Sequence, residues 1–239
     1  MRTAFRPRRL FRWATAAMAV AAVTALAPPA QAAQTGRTAR TALAHDPVLF
    51  VHGINENSLL WLTMIDRLKR DGWTDGELFN WDFNYFESSV KTAGDIRAKV
   101  DDILAETGAS KVDIVSHSLG GVNSRWYVKF LGGTSKVDDW FSIAGANHGS
   151  RTAAVCAPLV VSCREILPGS ELLTTLNAGD ETPGGVRYGT LRSDGDLFIS
   201  PIESTVLDGA ENYKAESPIG HIALTQSAEV YPIIRDFIR

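Results

Sequence analysis

Cysteine is scarce in this chain, with only Cys156 and Cys163 present. Two thiols in one short segment lack the paired spacing of zinc cages, so no metal centre is expected from them. Long apolar runs are scarce as well. Beyond residue 32 none approaches the ~20 residues that a membrane-spanning helix needs. No G-x-x-x-x-G-K phosphate loop occurs, and no internal repeat. Positive charge is thin outside the N-terminus. The formal charge is −3, and Met1 to Trp13 holds five arginines and no acid. Without that stretch the chain stands near −8, which argues against nucleic acid or an anionic membrane surface as the main partner.

The N-terminus reads as an export signal. After the arginines, Ala14 to Ala27 is an apolar run too short to cross a bilayer. Pro28-Pro29 and then Ala30-Gln31-Ala32 supply an A-x-A cleavage site, with the cut expected after Ala32. Residues 1–32 are therefore a signal peptide, of the twin-arginine type suggested by Arg8-Arg9-Leu10-Phe11 or of the Sec type. The expected location is secreted. In an exported chain an even cysteine count reads as a disulfide, here Cys156–Cys163 closing a small loop. Residues 33–46 are Ala/Thr/Arg-rich without periodicity and read as a disordered lead-in. Residues 47–239 are expected to form one domain. A chain 45% hydrophobic and 21% charged suits a soluble fold with a sizeable core.

Within that domain, strand and helix patterns alternate. Val48 to Val51 is continuously apolar, as in a strand buried on both faces. Leu60, Met64, Ile65 and Leu68 mark a helix. Leu78 to Phe83 is a second strand candidate. Ala93, Ile96, Val100, Ile103 and Leu104 form a helical stripe ended by Gly108. Val112 to Val115 is a strand, and Val122, Trp126 and Phe130 mark the helix behind it. Val137 to Ala144 is the next strand. Arg151 to Gly185 is irregular and reads as an excursion over the strand ends. Val186 to Leu191 and Asn212 to Ala215 are strands, and Val230 to Ile238 is a last helix. Such alternation predicts an α/β fold: a mostly parallel central sheet with helices on both faces, a three-layer sandwich. Ligands bind such sheets at the carboxyl ends of the strands.

One of those ends carries Ser116-His117-Ser118-Leu119-Gly120-Gly121. Strand, tight turn with a central Ser, then helix lifts a hydroxyl above the sheet. The positions two before and two after that Ser must be small. Gly120 meets this, while Ser116 replaces the first Gly of G-x-S-x-G. An ordinary loop containing Ser is the plainer reading of the motif taken alone. A Ser nucleophile needs a base, and the base needs a carboxylate. Of five histidines, His45 lies in the lead-in, and His52, His117 and His148 precede every plausible acid. Only His221 fits the order Ser…acid…His. Asp194 and Asp196 share one loop and are equal candidates by position. Asp208 lies in a Leu-Asp-Gly turn that suits Asp for backbone reasons. The backbone N–H groups of Leu119 and Ile54 are the expected oxyanion donors. Leu59, Leu60, Trp61, Phe83, Tyr85 and Phe86 are either core residues or the wall of an acyl pocket.

With Val51-His52-Gly53-Ile54, Val112 to Gly121, Gly145-Ala146-Asn147, Asp196 with Pro201, Leu207 to Ala210 and Gly220-His221-Ile222 in view, the chain resembles a known family. It is similar to the small secreted bacterial lipases of the α/β-hydrolase superfamily, the class 2 lipases typified by the minimal Bacillus enzyme. The likeness runs from Val48 to about Leu224. Those enzymes also carry a small residue where Ser116 stands. The resemblance implies Asp196 as the acid, and so Ser118, Asp196 and His221 as a triad with Ile54 and Leu119 as donors. It implies hydrolysis of fatty-acyl or glycerol esters through an acyl-enzyme, as lipase or esterase, with no cofactor or metal. It implies a lipid or small-molecule ester as substrate, work at a lipid-water interface, and a monomer. The longer Arg151–Gly185 segment and its cysteine pair resemble the actinobacterial branch. A secreted acyltransferase on the same fold, or a binding protein that merely keeps the fold, are the competing readings.

Overall fold

The computed structural model describes residues 43–239. The expected signal peptide and the larger part of the lead-in lie outside them. The last lead-in residues pack onto the fold. The N–H groups of Ala44 and His45 donate to the Glu77 carboxylate, and His45 stacks on Trp73 at 3.9 Å. Residues just before Pro47 thus belong to the packed fold rather than to a disordered lead-in. A low-complexity stretch is held there by one acid and one aromatic surface, neither visible as periodicity.

The regular elements are β1 (Val48–Val51), α1 (Leu62–Arg70), β2 (Leu78–Asn80), α2 (Ser89–Thr107), β3 (Val112–His117), α3 (Leu119–Phe130), β4 (Val137–Ile143), α4 (Val161–Glu165), α5 (Glu171–Leu176), β5 (Arg187–Arg192), β6 (Glu211–Lys214) and α6 (Tyr231–Phe237). The six strands form one sheet in the order β2-β1-β3-β4-β5-β6. Every neighbouring pair is parallel. This is the expected α/β architecture.

The alternation of side chains along each strand sorts the core into two layers. Val48 and Phe50 face Met64 and Leu68 of α1 and Ile234 and Phe237 of α6. Leu49 and Val51 face Ile96, Val100 and Ile103 of α2 and Val128 of α3. Each of these aliphatic side chains is fully buried, which contributes ~1.5–3 kcal/mol apiece. Local signals fix where α2 starts and stops. The Ser88 side chain accepts from the Val90 N–H, and Gly108 ends the helix at φ 75°, a conformation that only Gly adopts without cost. Pro232 falls in the first turn of α6, where a missing N–H is harmless.

The structure departs from the pattern reading in two further places. β2 stops at Asn80 rather than running to Phe83. The chain turns there because Asp82 accepts from the Ser58 N–H and the Phe83 N–H donates to His52, so this stretch closes the loop after β1 instead of pairing. The Arg151–Gly185 excursion contains α4 and α5, two short helices that its Pro and Gly content masks.

Candidate active site

Because all strands point one way, the loops after β1, β3, β4 and β5 gather at one end of the sheet. Ser118 occupies the turn between β3 and α3 with φ 54° and ψ −123°. A side chain held there costs ~1–3 kcal/mol and persists only where neighbours enforce it. They do so here: Ser118 N–H donates to the Ile143 carbonyl at 3.1 Å, and its own carbonyl accepts from Gly121 at 3.1 Å. A Cβ at Gly120 would run into the carbonyl oxygens of Val51 and His52, which is why the turn demands Gly. Ser116 is tolerated two residues before because its hydroxyl donates to the Phe141 carbonyl at 3.1 Å. The missing first Gly of the motif is thus replaced by a small side chain that satisfies itself against β4.

His221, which lines the same cavity as Ser118, meets Asp196. His221 Nδ1 lies 2.7 Å from Asp196 Oδ2. Asp196 Oδ1 accepts from the N–H groups of Phe198 at 2.8 Å and Ile199 at 3.0 Å. Burial pushes the Asp196 carboxyl up, but the bond and charge of His221 and the two backbone donors hold it below its ordinary value. Burial pushes His221 down, His117 pushes the same way, and Asp196 and Glu56 oppose them; the net is a lowered value. Asp194 points elsewhere and pairs with Lys214 at 2.7 Å.

Ser118, His221 and Ile54 line one cavity of about 490 Å³. As the first residue of α3, Leu119 has no carbonyl a turn behind it in the helix for its N–H to meet. The apolar wall of the cavity comes from Val155, Ile166, Leu197, Phe198, Ile199 and Ile222. None of the six aromatic or leucine candidates after β1 and β2 lines it. Trp61 is buried in the core and Phe83 stacks on His52 at 4.1 Å. Leu59 and Phe86 are exposed. Cys156 and Cys163 are joined as a disulfide, and Cys156 itself borders the cavity.

Residues 45–218 match the family described as lipase (class 2). The chain belongs to the class 2 lipases. It is therefore, in general terms, a carboxylic ester hydrolase. Solved structures agree on the fold. Aspergillus fumigatus lipase B superposes with a TM-score of 0.69 at 18% identity, over 80% of this chain and 52% of that one. This chain thus spans about half the length of the Aspergillus protein. The mature form of Bacillus licheniformis lipase BlEst2 gives 0.68 at 17% identity, over 82% and 92% of the two chains. The product of gene lin2722 from Listeria innocua gives 0.61 at 13%, over 82% and 94%. At such identities the likeness is one of fold. No helix among the described residues is long and apolar enough to cross a membrane.

The other histidines of this class 2 lipase have separate tasks. His52 is buried; its Nδ1 lies 2.9 Å from the Gly53 carbonyl and its Nε2 accepts from the Phe83 N–H at 3.3 Å. It fixes the loop after β1. His148 pairs with Glu181 at 2.7 Å, and the cavity around Ser118 does not include it. His117, also buried, lies 2.9 Å from Glu56 Oε2 and 3.2 Å from the His221 carbonyl. Glu56 is the residue that sequence reasoning missed. It sits three residues past Gly53 in the loop after β1 and accepts from the Gly53 N–H at 2.6 Å. A carboxylate inside the loop of the expected oxyanion donor, in a chain with His directly before the nucleophile candidate, is the signal that was available. Among the described residues, Glu56, His117 and His221 form the one group whose ligand-type atoms lie within 4.8 Å of each other. Hydrogen bonds within the group already engage Glu56 and His117, so a metal ion would have to displace them.

Proposed function

We propose that this class 2 lipase is an exported serine hydrolase that cleaves fatty-acyl esters through an acyl-enzyme intermediate, with Ser118, Asp196 and His221 as triad. The observation that carries this reading is the 2.7 Å Asp196–His221 bond beside a serine at positive φ in the same cavity. His221 takes the Ser118 proton as the hydroxyl oxygen attacks the ester carbonyl. The N–H groups of Ile54 and Leu119 accommodate the oxyanion, each contributing roughly 3 kcal/mol to the transition state. His221 then hands its proton to the departing alkoxide, and a water repeats the cycle on the acyl-enzyme.

Substrate size follows from the wall. A cavity of about 490 Å³ accepts a short to medium acyl chain, and the exposed side chains of Val155, Leu197, Phe198 and Ile222 at its edge suit an apolar substrate. The disulfide supports an oxidising destination, in line with a signal peptide removed after Ala32 and a catalytic domain over 47–239 that acts as a monomer. The test is hydrolysis of p-nitrophenyl butyrate by the purified chain and by Ser118→Ala. Loss of at least a thousandfold in the variant supports the nucleophile, and equal rates sink it. Added alcohol separates transfer from hydrolysis: ester product outrunning acid would reassign the enzyme as an acyltransferase.

A further inference from the structure

We propose that Glu56 is a positioning residue that ties the oxyanion loop to the loop carrying His221, with His117 as the link between them. The idea rests on the triad reading above for what is being positioned. Three loops from three strands must hold their places to a fraction of an ångström, and no regular hydrogen-bond ladder joins them at this end of the sheet. Glu56 supplies the joint. Its Oε2 accepts from the Gly53 N–H at 2.6 Å and meets His117 Nδ1 at 2.9 Å. Gly53 is the neighbour of Ile54, the expected oxyanion donor. The far nitrogen of His117 meets the backbone carbonyl of His221 at 3.2 Å. The His117 and His221 rings also pack at 4.4 Å.

The chemistry of that chain of bonds fixes its protons. Both partners of the His117 ring, a carboxylate and a carbonyl, are acceptors. A neutral imidazole carries one N–H and serves only one of them. A hydrogen on Nδ1 bonds the Glu56 carboxylate, the stronger acceptor, while Nε2 rests against the His221 carbonyl; the two side chains are 0% and 7% exposed. The charges facing this pair are His52 on the β1 side and His221 with Asp196 behind it on the β5 side. Glu56 is held below its ordinary value: burial pushes it up, and the charge and bond of His117 with the Gly53 N–H outweigh that.

Displacing a catalytic group by about 1 Å costs on the order of a hundredfold in rate. Glu56→Gln keeps size and an acceptor for the Gly53 N–H but replaces the carboxylate that meets His117 Nδ1 by a neutral amide, so the His117 ring is held less firmly against the His221 loop. On p-nitrophenyl butyrate we expect kcat to fall roughly ten- to a hundredfold with KM within about threefold. A Glu56→Gln/His117→Asn double variant should lose little more than the Glu56 variant alone, since the two act as one unit. Nitrogen-15 histidine NMR of the wild-type chain should show one ring, assigned by its loss in His117→Asn, whose Nδ1 carries a hydrogen in a strong bond to a carboxylate. That signature should vanish in Glu56→Gln. Unchanged kcat and KM in a folded Glu56→Gln, or a His117 Nδ1 without hydrogen in wild type, overturns the proposal. If Glu56→Gln does not fold, the wild-type spectrum decides alone. Failure of the triad reading looks different: the Ser118→Ala chain would then match wild type, whatever Glu56 does.

Discussion

Replacing Asp196 by Asn tests the acid through the direction of a single proton. Asp196 Oδ1 is pinned by the N–H groups of Phe198 and Ile199 at 2.8 and 3.0 Å. In Asp196→Asn the amide oxygen keeps those two donors, and its NH₂ is forced into the place of Oδ2, which faces His221 Nδ1 at 2.7 Å in the native chain. A donor there requires a lone pair on Nδ1, so the ring hydrogen moves to Nε2. That nitrogen then presents a hydrogen to Ser118 instead of accepting one. The wrong tautomer, and the loss of a carboxylate beside the imidazolium that forms in the reaction, together remove about three to four powers of ten in kcat, or ~4–5.5 kcal/mol.

Asp194→Asn is the control in the same loop. Its carboxylate is half-exposed and pairs only with Lys214, an interaction contributing well under ~1 kcal/mol. Its kcat should stay within about twofold of wild type. The assay is steady-state hydrolysis of p-nitrophenyl butyrate at pH 8, with thermal melts to show that both variants are folded. Asp196→Asn retaining a tenth of wild-type kcat, or Asp194→Asn costing more than Asp196→Asn, would refute the reasoning.

Two other expectations follow from the same region. His221 acts as base only when neutral, and burial with the neighbouring His117 lowers it below its ordinary 6.5; the acidic limb of kcat/KM should therefore have its midpoint below 6.5, and a midpoint above 7 in a pH–rate profile contradicts the buried site. Linkage gives stability the same sign: as pH falls through the window beneath 6.5, the unfolded chain binds a proton that buried His221 refuses, and His52, lowered by burial, adds to this. Tm should drop between pH 7.5 and 5, then again as pH falls below the ordinary values of Glu56 and Asp196, 4.5 and 3.8, whose folded values are lower still. The disulfide spans a sequence separation of 7, for which loop-closure entropy gives ~2.5 kcal/mol. Cys156→Ala with Cys163→Ala should lower Tm by about 5–10 °C for a chain of this size, and a shift under about 1 °C in a melting scan would show that the closure does not constrain the unfolded chain.

Most of the fold was legible because parallel strands buried on both faces leave an unambiguous mark. Val48 to Val51 and Val112 to Val115 are continuous apolar runs, and the stripe from Ala93 to Leu104 has helical period. The turn around Ser118 was legible because its backbone leaves no room: a Cβ at Gly120 would meet the Val51 and His52 carbonyls, and Ser116 is small enough to bond the Phe141 carbonyl. The choice between Asp194 and Asp196 was not legible from position. It depends on which side chain the loop turns inward, and that is decided by backbone donors at Phe198 and Ile199 rather than by residue type. Whether the residues after β1 and β2 were core or acyl wall was open for a related reason. Aromatic residues near a strand end look the same whether they face a cavity or a core; here Trp61 took the core, while the cavity took its apolar wall from the segment after β4, from the loop bearing Asp196 and from Ile222. Glu56 escaped notice because a lone acid in a loop carries no pattern; its role depends on His117, a partner 61 residues away in the chain.

The segment after β4 and the loop bearing Asp196 are one mechanical unit, and this shapes what the enzyme can select. Ser150 and Thr152 both donate their hydroxyls to the Phe198 carbonyl, the former at 2.6 Å. The Ser200 N–H donates to Ser150 Oγ at 3.0 Å, and Arg151 N–H donates to the Ser200 carbonyl at 2.9 Å. Phe198 in turn lies 5.2 Å from the His221 ring and supplies one of the two N–H groups that aim Asp196. The proposed acyl wall is therefore hydrogen-bonded to the residues that orient Asp196, the proposed acid. Within this arrangement a substitution at Val155 or Leu197, exposed side chains with no polar bond, alters the room for substrate while leaving the triad in place. A substitution at Ser150 alters both at once, because its hydroxyl is buried and joins the two segments. Variation in chain-length preference among such enzymes should accordingly concentrate at positions like Val155 and Leu197, and Ser150 should resist it.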